Sequence, residues 1–212
     1  QVSAAYADAF DDANQALQDG DVESGVASMN ALAEEHGFLV AYPNQSKAAN
    51  ASLCWNWFSS EHQLRGSGEP AIIAAITRDV VAEYDIDPAR VFVAGLSAGG
   101  AMAVVMGATY PDLYAAVGVH SGLAYRSAAD LPSAFAAMRG DSRFPSPVQK
   151  ENTSRQDSRV RTIIFHGDAD KVVHPSNAAG MVGAKVVGDS VERTKGGQPA
   201  NRAYTRTVTR DK

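Results

Sequence analysis

Four short apolar runs, Phe38–Tyr42 (FLVAY), Val91–Ala94 (VFVA), Ala115–Val119 and Thr162–Phe165 (TIIF), recur along the chain with helix-like or loop segments between them. Runs of this length bounded by turn residues suit strands buried on both faces, and their alternation with helices predicts a mostly parallel sheet with helices on both faces. Between the runs, Pro70 opens a helix whose face carries Ile72, Ile73, Ile76 and Val80, the ring's missing N–H being harmless in a first turn. After Ser97 a Gly- and Ala-rich helix runs to about Tyr110, where Pro111 marks its end. Residues 1–36 read as helical: Tyr6, Phe10, Ala13 and Leu17 form one apolar stripe, and Val22, Val26, Met29 and Ala33 a second that stops before Gly37. Ser127–Arg155 reads as a helix plus an excursion above the sheet, and Tyr204–Val208 (YTRTV) as a half-exposed strand.

At 212 residues the chain is the size of one domain, so a single core over residues 1–212 is expected, with 1–26 as an atypical helical segment. Hydrophobic residues at 45% and charged residues at 20% are ordinary globular usage. A net charge of -5 with no basic run gives no footprint for nucleic acid or an anionic membrane surface, and a neutral or small substrate fits better. No stretch approaches the roughly 20 apolar residues of a spanning helix. Gln1–Asp12 lacks the basic and apolar regions of a signal peptide, and the first residue is Gln rather than Met, which suits a mature form or a fragment. Cys54 is the only cysteine and cannot form an internal disulfide.

Gly95-Leu96-Ser97-Ala98-Gly99 is a G-x-S-x-G pentapeptide placed directly after a predicted strand and directly before a predicted helix. That context predicts a sharp turn holding Ser97 in a strained conformation, with both flanking glycines required because a side chain would strike the neighbouring strand or helix. The hydroxyl is then presented at the carboxyl edge of the sheet, and the helix N-terminus aims backbone N–H groups, that of Ala98 above all, at an oxyanion formed there. The pattern and its context predict the nucleophile elbow of α/β-hydrolase folds, with a Gly/Ser turn that merely connects strand and helix as the bland alternative.

In that fold the acid follows the serine in the chain and the histidine follows the acid. His166-Gly167-Asp168-Ala169-Asp170 stands after the last apolar run. Asp170, further out on the loop, is the preferred orienting acid, while Asp168 suits a cap on the turn; two solvated turn aspartates are the bland alternative. For the base, His174 leads because it alone follows Asp170, and His120 is next; His120 and His166 close strands, where a structural imidazole bonded to backbone is the commoner role. His36 and His62 read as surface histidines. The loop Gln45–Glu69 is too long to be a mere connection, and its Trp55 and Trp57 serve equally well as packing or as a flat wall for substrate.

The ordered segments Asn30–Pro43 (NALAEEHGFLVAYP), Cys54–Phe58 (CWNWF), Arg65–Glu69 (RGSGE), Asp87–Met102 (DPARVFVAGLSAGGAM), His120–Leu123 (HSGL) and His166–Pro175 (HGDADKVVHP) together resemble the polyhydroxybutyrate depolymerase family of esterases, which also includes feruloyl and acetylxylan esterases. The resemblance implies an α/β-hydrolase domain, Ser97 as nucleophile and Asp170 as triad acid, no metal or cofactor, and export to an extracellular or periplasmic setting. It also implies an upstream strand ending in an HGC-type loop, whose cysteine would pair with Cys54, and a downstream GHxW-like segment with the histidine. The corresponding places here hold the helical stretch Gln1–Val26 and the end of the chain, so the expectation is a chain truncated or rearranged at both ends, with an incomplete sheet. A serine carboxylic ester hydrolase acting on small or polymeric hydroxyalkanoate, acetyl or feruloyl esters is the leading expectation. The alternative is a catalytically impaired remnant that binds an ester or a partner chain, or forms a homo-oligomer that covers the open sheet.

Overall fold

The computed structural model describes residues 22–141, 160–182, 190–197 and 203–210. Three of the predicted strands form one parallel sheet in the order β1 (Phe92–Leu96), β2 (Ala116–His120), β3 (Arg161–Phe165). Their register is flush, with Leu96 beside His120 and His120 beside Phe165, so all three strands end at one edge. Every loop leaving that edge therefore starts from the same level, the property that lets residues far apart in sequence share a site.

The helices between the strands are α1 (Val22–His36), α2 (Gly68–Glu83), α3 (Ala98–Thr109), α4 (Leu131–Met138) and α5 (Ser176–Val182). Helix α3 is apolar on all sides, the pattern of a helix buried all round. One side presses on the sheet: Ala103 packs with Val117 and Val119, and a Cβ on Gly107 would stand only 2.6 Å from Val117 Cγ2. The other side, with Met102, Val105 and Met106, packs with Ile73, Tyr110, Leu123 and Trp57. Among the described residues the second face of the sheet is open, with Phe92 and Ile163 exposed.

Residues 190–197 and 203–210 form a separate antiparallel pair, β4 and β5, with Thr194 opposite Arg206. The alternating run at Tyr204–Val208 foretold β5. Its partner β4 (SVERTKGG) has no apolar alternation to betray it.

Three expectations are corrected. Phe38–Tyr42 is not a strand: it is irregular, Leu39 is 55% and Tyr42 42% exposed, and the Tyr42 hydroxyl donates to Asn30 Oδ1 of α1. An apolar run becomes a buried strand only when a neighbouring strand pairs it, and none among the described residues does. On α2 the buried positions are Glu69, Pro70, Ile73 and Ala74, whereas Ile72 is exposed. His62 is no surface histidine, for its side chain is 16% exposed and its Nδ1 accepts from Glu69 N at 3.0 Å, satisfying a donor of the first turn of α2. The expected helix over Ser127–Arg155 is found as α4, opened by Asp130 and Ser133 in a reciprocal cap; the stripe Tyr6–Leu17 and the rest of the excursion lie outside the described residues. No helix among the described residues is long and apolar enough to cross a membrane.

Candidate active site

Ser97 connects β1 to α3 with φ 54° and ψ −117°, a conformation that an L-residue adopts only when its surroundings force it. The forcing contacts are visible. Ser97 N donates to His120 O at 2.9 Å, continuing the β1–β2 ladder one step past the strand, and Ser97 O accepts from Ala101 N at 2.9 Å, already the first bond of α3. Strand and helix thus meet at a single residue. A Cβ on Gly95 would stand 2.2 Å from Gly99 O, and one on Gly122 would stand 2.9 Å from Gly100 C, so the turn is closed by backbone on backbone.

Gly99 is different, and the expectation that both flanking glycines are sterically required is corrected. A Cβ there would meet nothing nearer than Trp55 Cδ1 at 3.9 Å, an ordinary contact. The requirement falls on Gly95 alone, whose hydrogen faces the Gly99 carbonyl.

Ser97 is partly exposed and stands at the start of a twelve-residue helix. Ala98 is the first residue of α3, so its N–H is one of the donors that no intrahelical carbonyl accepts, at the positive end of the helix dipole. A negatively charged oxygen held beside Ser97 Oγ would meet that donor.

The strand ends bring two further loops to this edge. Ser121 N donates to Phe165 O at 2.9 Å, linking the ends of β2 and β3 as Ser97 links those of β1 and β2. Ser121 is 5% exposed and sits at φ 47°, with its hydroxyl directed toward Asp170 but short of hydrogen-bond geometry. Its positive φ gave no sign in the sequence, since serine carries no preference for it.

Asp170 lies on the loop after β3 with its side chain 17% exposed. Its Oδ1 accepts from Val172 N and Val173 N, each at 2.9 Å, and its Oδ2 stands 3.6 Å from His166 Nε2. Burial alone would raise its pKa. The N–H groups of Val173 and Val172, then the Ser121 hydroxyl and the His166 ring, outweigh that and hold it below the ordinary 3.8. The turn-capping role expected of Asp168 belongs to Asp170 instead, while Asp168 is exposed. The backbone engages only Oδ1, which leaves Oδ2 facing the His166 ring.

His166 matches the structural imidazole expected of it. Its ring is 4% exposed, and because Val173 O can only accept, the 2.8 Å contact fixes the proton on Nε2. His174 points elsewhere: it is exposed, its Nδ1 contacts Ser176 Oγ at 2.9 Å and accepts from Ser176 N at 3.2 Å, and its backbone N donates to Met138 O. The ring therefore packs over Gly140 at the end of α4. The structure brings Ser97, Ala98, Ser121 and Asp170 to one edge and turns the His174 ring toward Ser176.

The two tryptophans separate. Trp57 is 6% exposed in the core, edge-on to Phe58 at 5.8 Å, with its carbonyl accepting from the buried Gln63 side chain. It is packing, not a wall. Trp55 is half-buried against Gly99, two residues from Ser97. Cys54 beside it is free and exposed.

With this geometry in view, the sequence model of the esterase PHB depolymerase family matches residues 13–200. Poly(3-hydroxyalkanoate) depolymerase C of Paucimonas lemoignei is 36% identical over 153 residues, 70% of this chain and 37% of that protein. Feruloyl esterase B of Neurospora crassa is 32% identical over 189 residues, 83% of this chain and 63% of that protein. The structure of an acetyl xylan esterase from Aspergillus awamori superposes with a TM-score of 0.66 at 26% identity, covering 84% of this chain and 69% of the other. The chain thus spans between about a third and two thirds of the two curated relatives' length.

Proposed function

The chain belongs to the esterase PHB depolymerase family, and from that premise we propose that it hydrolyses carboxylic esters with Ser97 as nucleophile. The observation that carries the reading is the backbone of Ser97, held in a left-handed conformation where β1 hands over to α3. Ser97 Oγ attacks the ester carbonyl and its proton passes to a base. The tetrahedral oxyanion is held by the N–H of Ala98. Collapse expels the alcohol, which takes the proton, and water then clears the acyl-enzyme by the same route reversed.

Asp170 is proposed as the acid that orients the base, a role its ionised, half-buried carboxylate suits. His174 is proposed as the base, and its ring would have to turn from Ser176 to take the proton. Trp55 is proposed as the wall that receives the acyl or alcohol group. The names of the relatives suggest hydroxyalkanoate, feruloyl and acetyl esters as the substrates to try first.

Turnover of p-nitrophenyl acetate and butyrate beside a Ser97→Ala control tests the reading. The expected loss is at least about a thousandfold, and turnover that survives the substitution removes Ser97 from the mechanism. Asp170→Asn and His174→Ala then separate the roles: a His174→Ala protein as active as its parent shows that another group takes the proton. The orientation of His174 also favours a second reading, a hydrolase fold that binds an ester or a partner chain without turning it over. No turnover by the parent, with saturable binding of a butyrate ester, would support that reading instead.

A further inference from the structure

We infer that Glu69 is a positioning residue for the proposed site: its buried carboxylate fastens the loop Gln45–Trp57 to the first turn of α2 and thereby holds Trp55 beside the elbow. The inference rests on the reading of Ser97 as the nucleophile.

Glu69 is 4% exposed. Its Oε1 accepts from Gln45 Nε2 at 2.5 Å and from Asn56 Nδ2 at 2.7 Å, and its Oε2 accepts from Asn56 N at 2.7 Å. Those donors come from the two ends of the loop, so one carboxylate closes it. The interior of the loop is tied to the same node: Asn56 Nδ2 also donates to Ala49 O, Asn50 Nδ2 donates to Asn56 Oδ1, and Gln45 Nε2 reaches Cys54 O at 3.3 Å.

All three groups that donate to the carboxylate are neutral amides. Burying a carboxylate against amides rather than Lys or Arg is costly, and the cost is offset by charge-assisted bonds and by a place in the first turn of a helix. An apolar residue would fill the same volume without that cost, but it would not fix the loop's register. What the register sets is next door. Trp55 precedes Asn56, whose main-chain N–H is held by Oε2, and the Trp55 ring lies against Gly99. Freeing Asn56 frees the wall beside Ser97.

Glu69→Gln tests this, because it keeps the shape but turns an amino group toward N–H donors. KM for p-nitrophenyl butyrate is expected to rise about tenfold with kcat changed less than about threefold, the signature of lost binding rather than lost chemistry. Trp55 becomes more open to acrylamide quenching, read against a Trp55→Phe protein that isolates the emission of Trp57. Gln45→Ala removes one donor from the loop side and should move both readouts the same way by a smaller factor; it decides the matter if Glu69→Gln does not fold. A folded Glu69→Gln protein with parental quenching and KM overturns the inference, as does a loss confined to kcat or to thermal stability. If the parent turns over no ester, the ester reading fails separately, while a change in Trp55 quenching still supports the hold of Glu69 on the loop.

Discussion

The elbow at Ser97 and the loop at Asp170 leave the same edge of the same sheet, yet different forces hold them. At the elbow, main chain lies against main chain: Gly95 faces the Gly99 carbonyl and Gly122 faces Gly100, with no room for a methyl group. At the loop, a carboxylate gathers two N–H groups and faces an imidazole and a hydroxyl. Close packing is indifferent to pH and intolerant of volume, whereas a hydrogen-bonded carboxylate tolerates volume and depends on charge. One sheet edge thus carries a turn set by sterics and a loop set by polar bonds to a carboxylate held below its ordinary pKa.

The largest effect expected of that contrast comes from Gly95→Ala. Its methyl would meet backbone that cannot turn aside, and about 3 kcal/mol or more should be lost, seen as a fall in Tm of roughly 10 °C together with loss of ester turnover. A protein that melts as the parent does would mean that the elbow is not packed as described.

Asp170→Ala should cost less, about 1–3 kcal/mol, because the N–H of Val173, a residue 1% exposed, loses its acceptor. The same carboxylate predicts an acid limb. Its folded pKa lies below the unfolded 3.8, so its stabilisation is complete above that pH and is lost as the pH falls through the lower folded value. Denaturant titrations of parent and Asp170→Asn proteins should therefore differ at neutral pH and converge below pH 3.8. Curves that stay parallel would show that the carboxylate is not ionised by its neighbours in the way argued.

Gly99→Ala is the smallest change and the sharpest control. The site has room, and alanine favours the helix by about 0.5–1 kcal/mol, so stability should hold or rise slightly even though the residue belongs to the same pentapeptide as Gly95. A destabilisation comparable to that of Gly95→Ala would erase the distinction.

Much of this was legible along the chain. The runs at Val91, Ala115 and Thr162 became β1, β2 and β3 within a residue or two, and the pentapeptide marked the elbow, because strand, turn and helix signals are all local. The run Phe38–Tyr42 misled for the same reason: its apolar residues specify a willingness to be buried, and only a paired neighbour grants it. His62 read as a surface histidine and Glu69 as no more than the end of a long loop, although one caps α2 and the other is bonded to the Trp55 loop, since a polar residue's partner cannot be read from its own neighbours in sequence. Trp55 and Trp57 differ by two positions and had equal standing until the core claimed one.

The sequence by itself located the three strands that do pair, the helix that follows Ser97 and the sharp turn between them, because short-range sterics and hydrophobic period act within a few residues. The tertiary structure alone decided which glycine is indispensable, which aspartate gathers the turn, where the His174 ring points and what Glu69 fastens. Each of those depends on atoms that the fold brings together from distant parts of the chain.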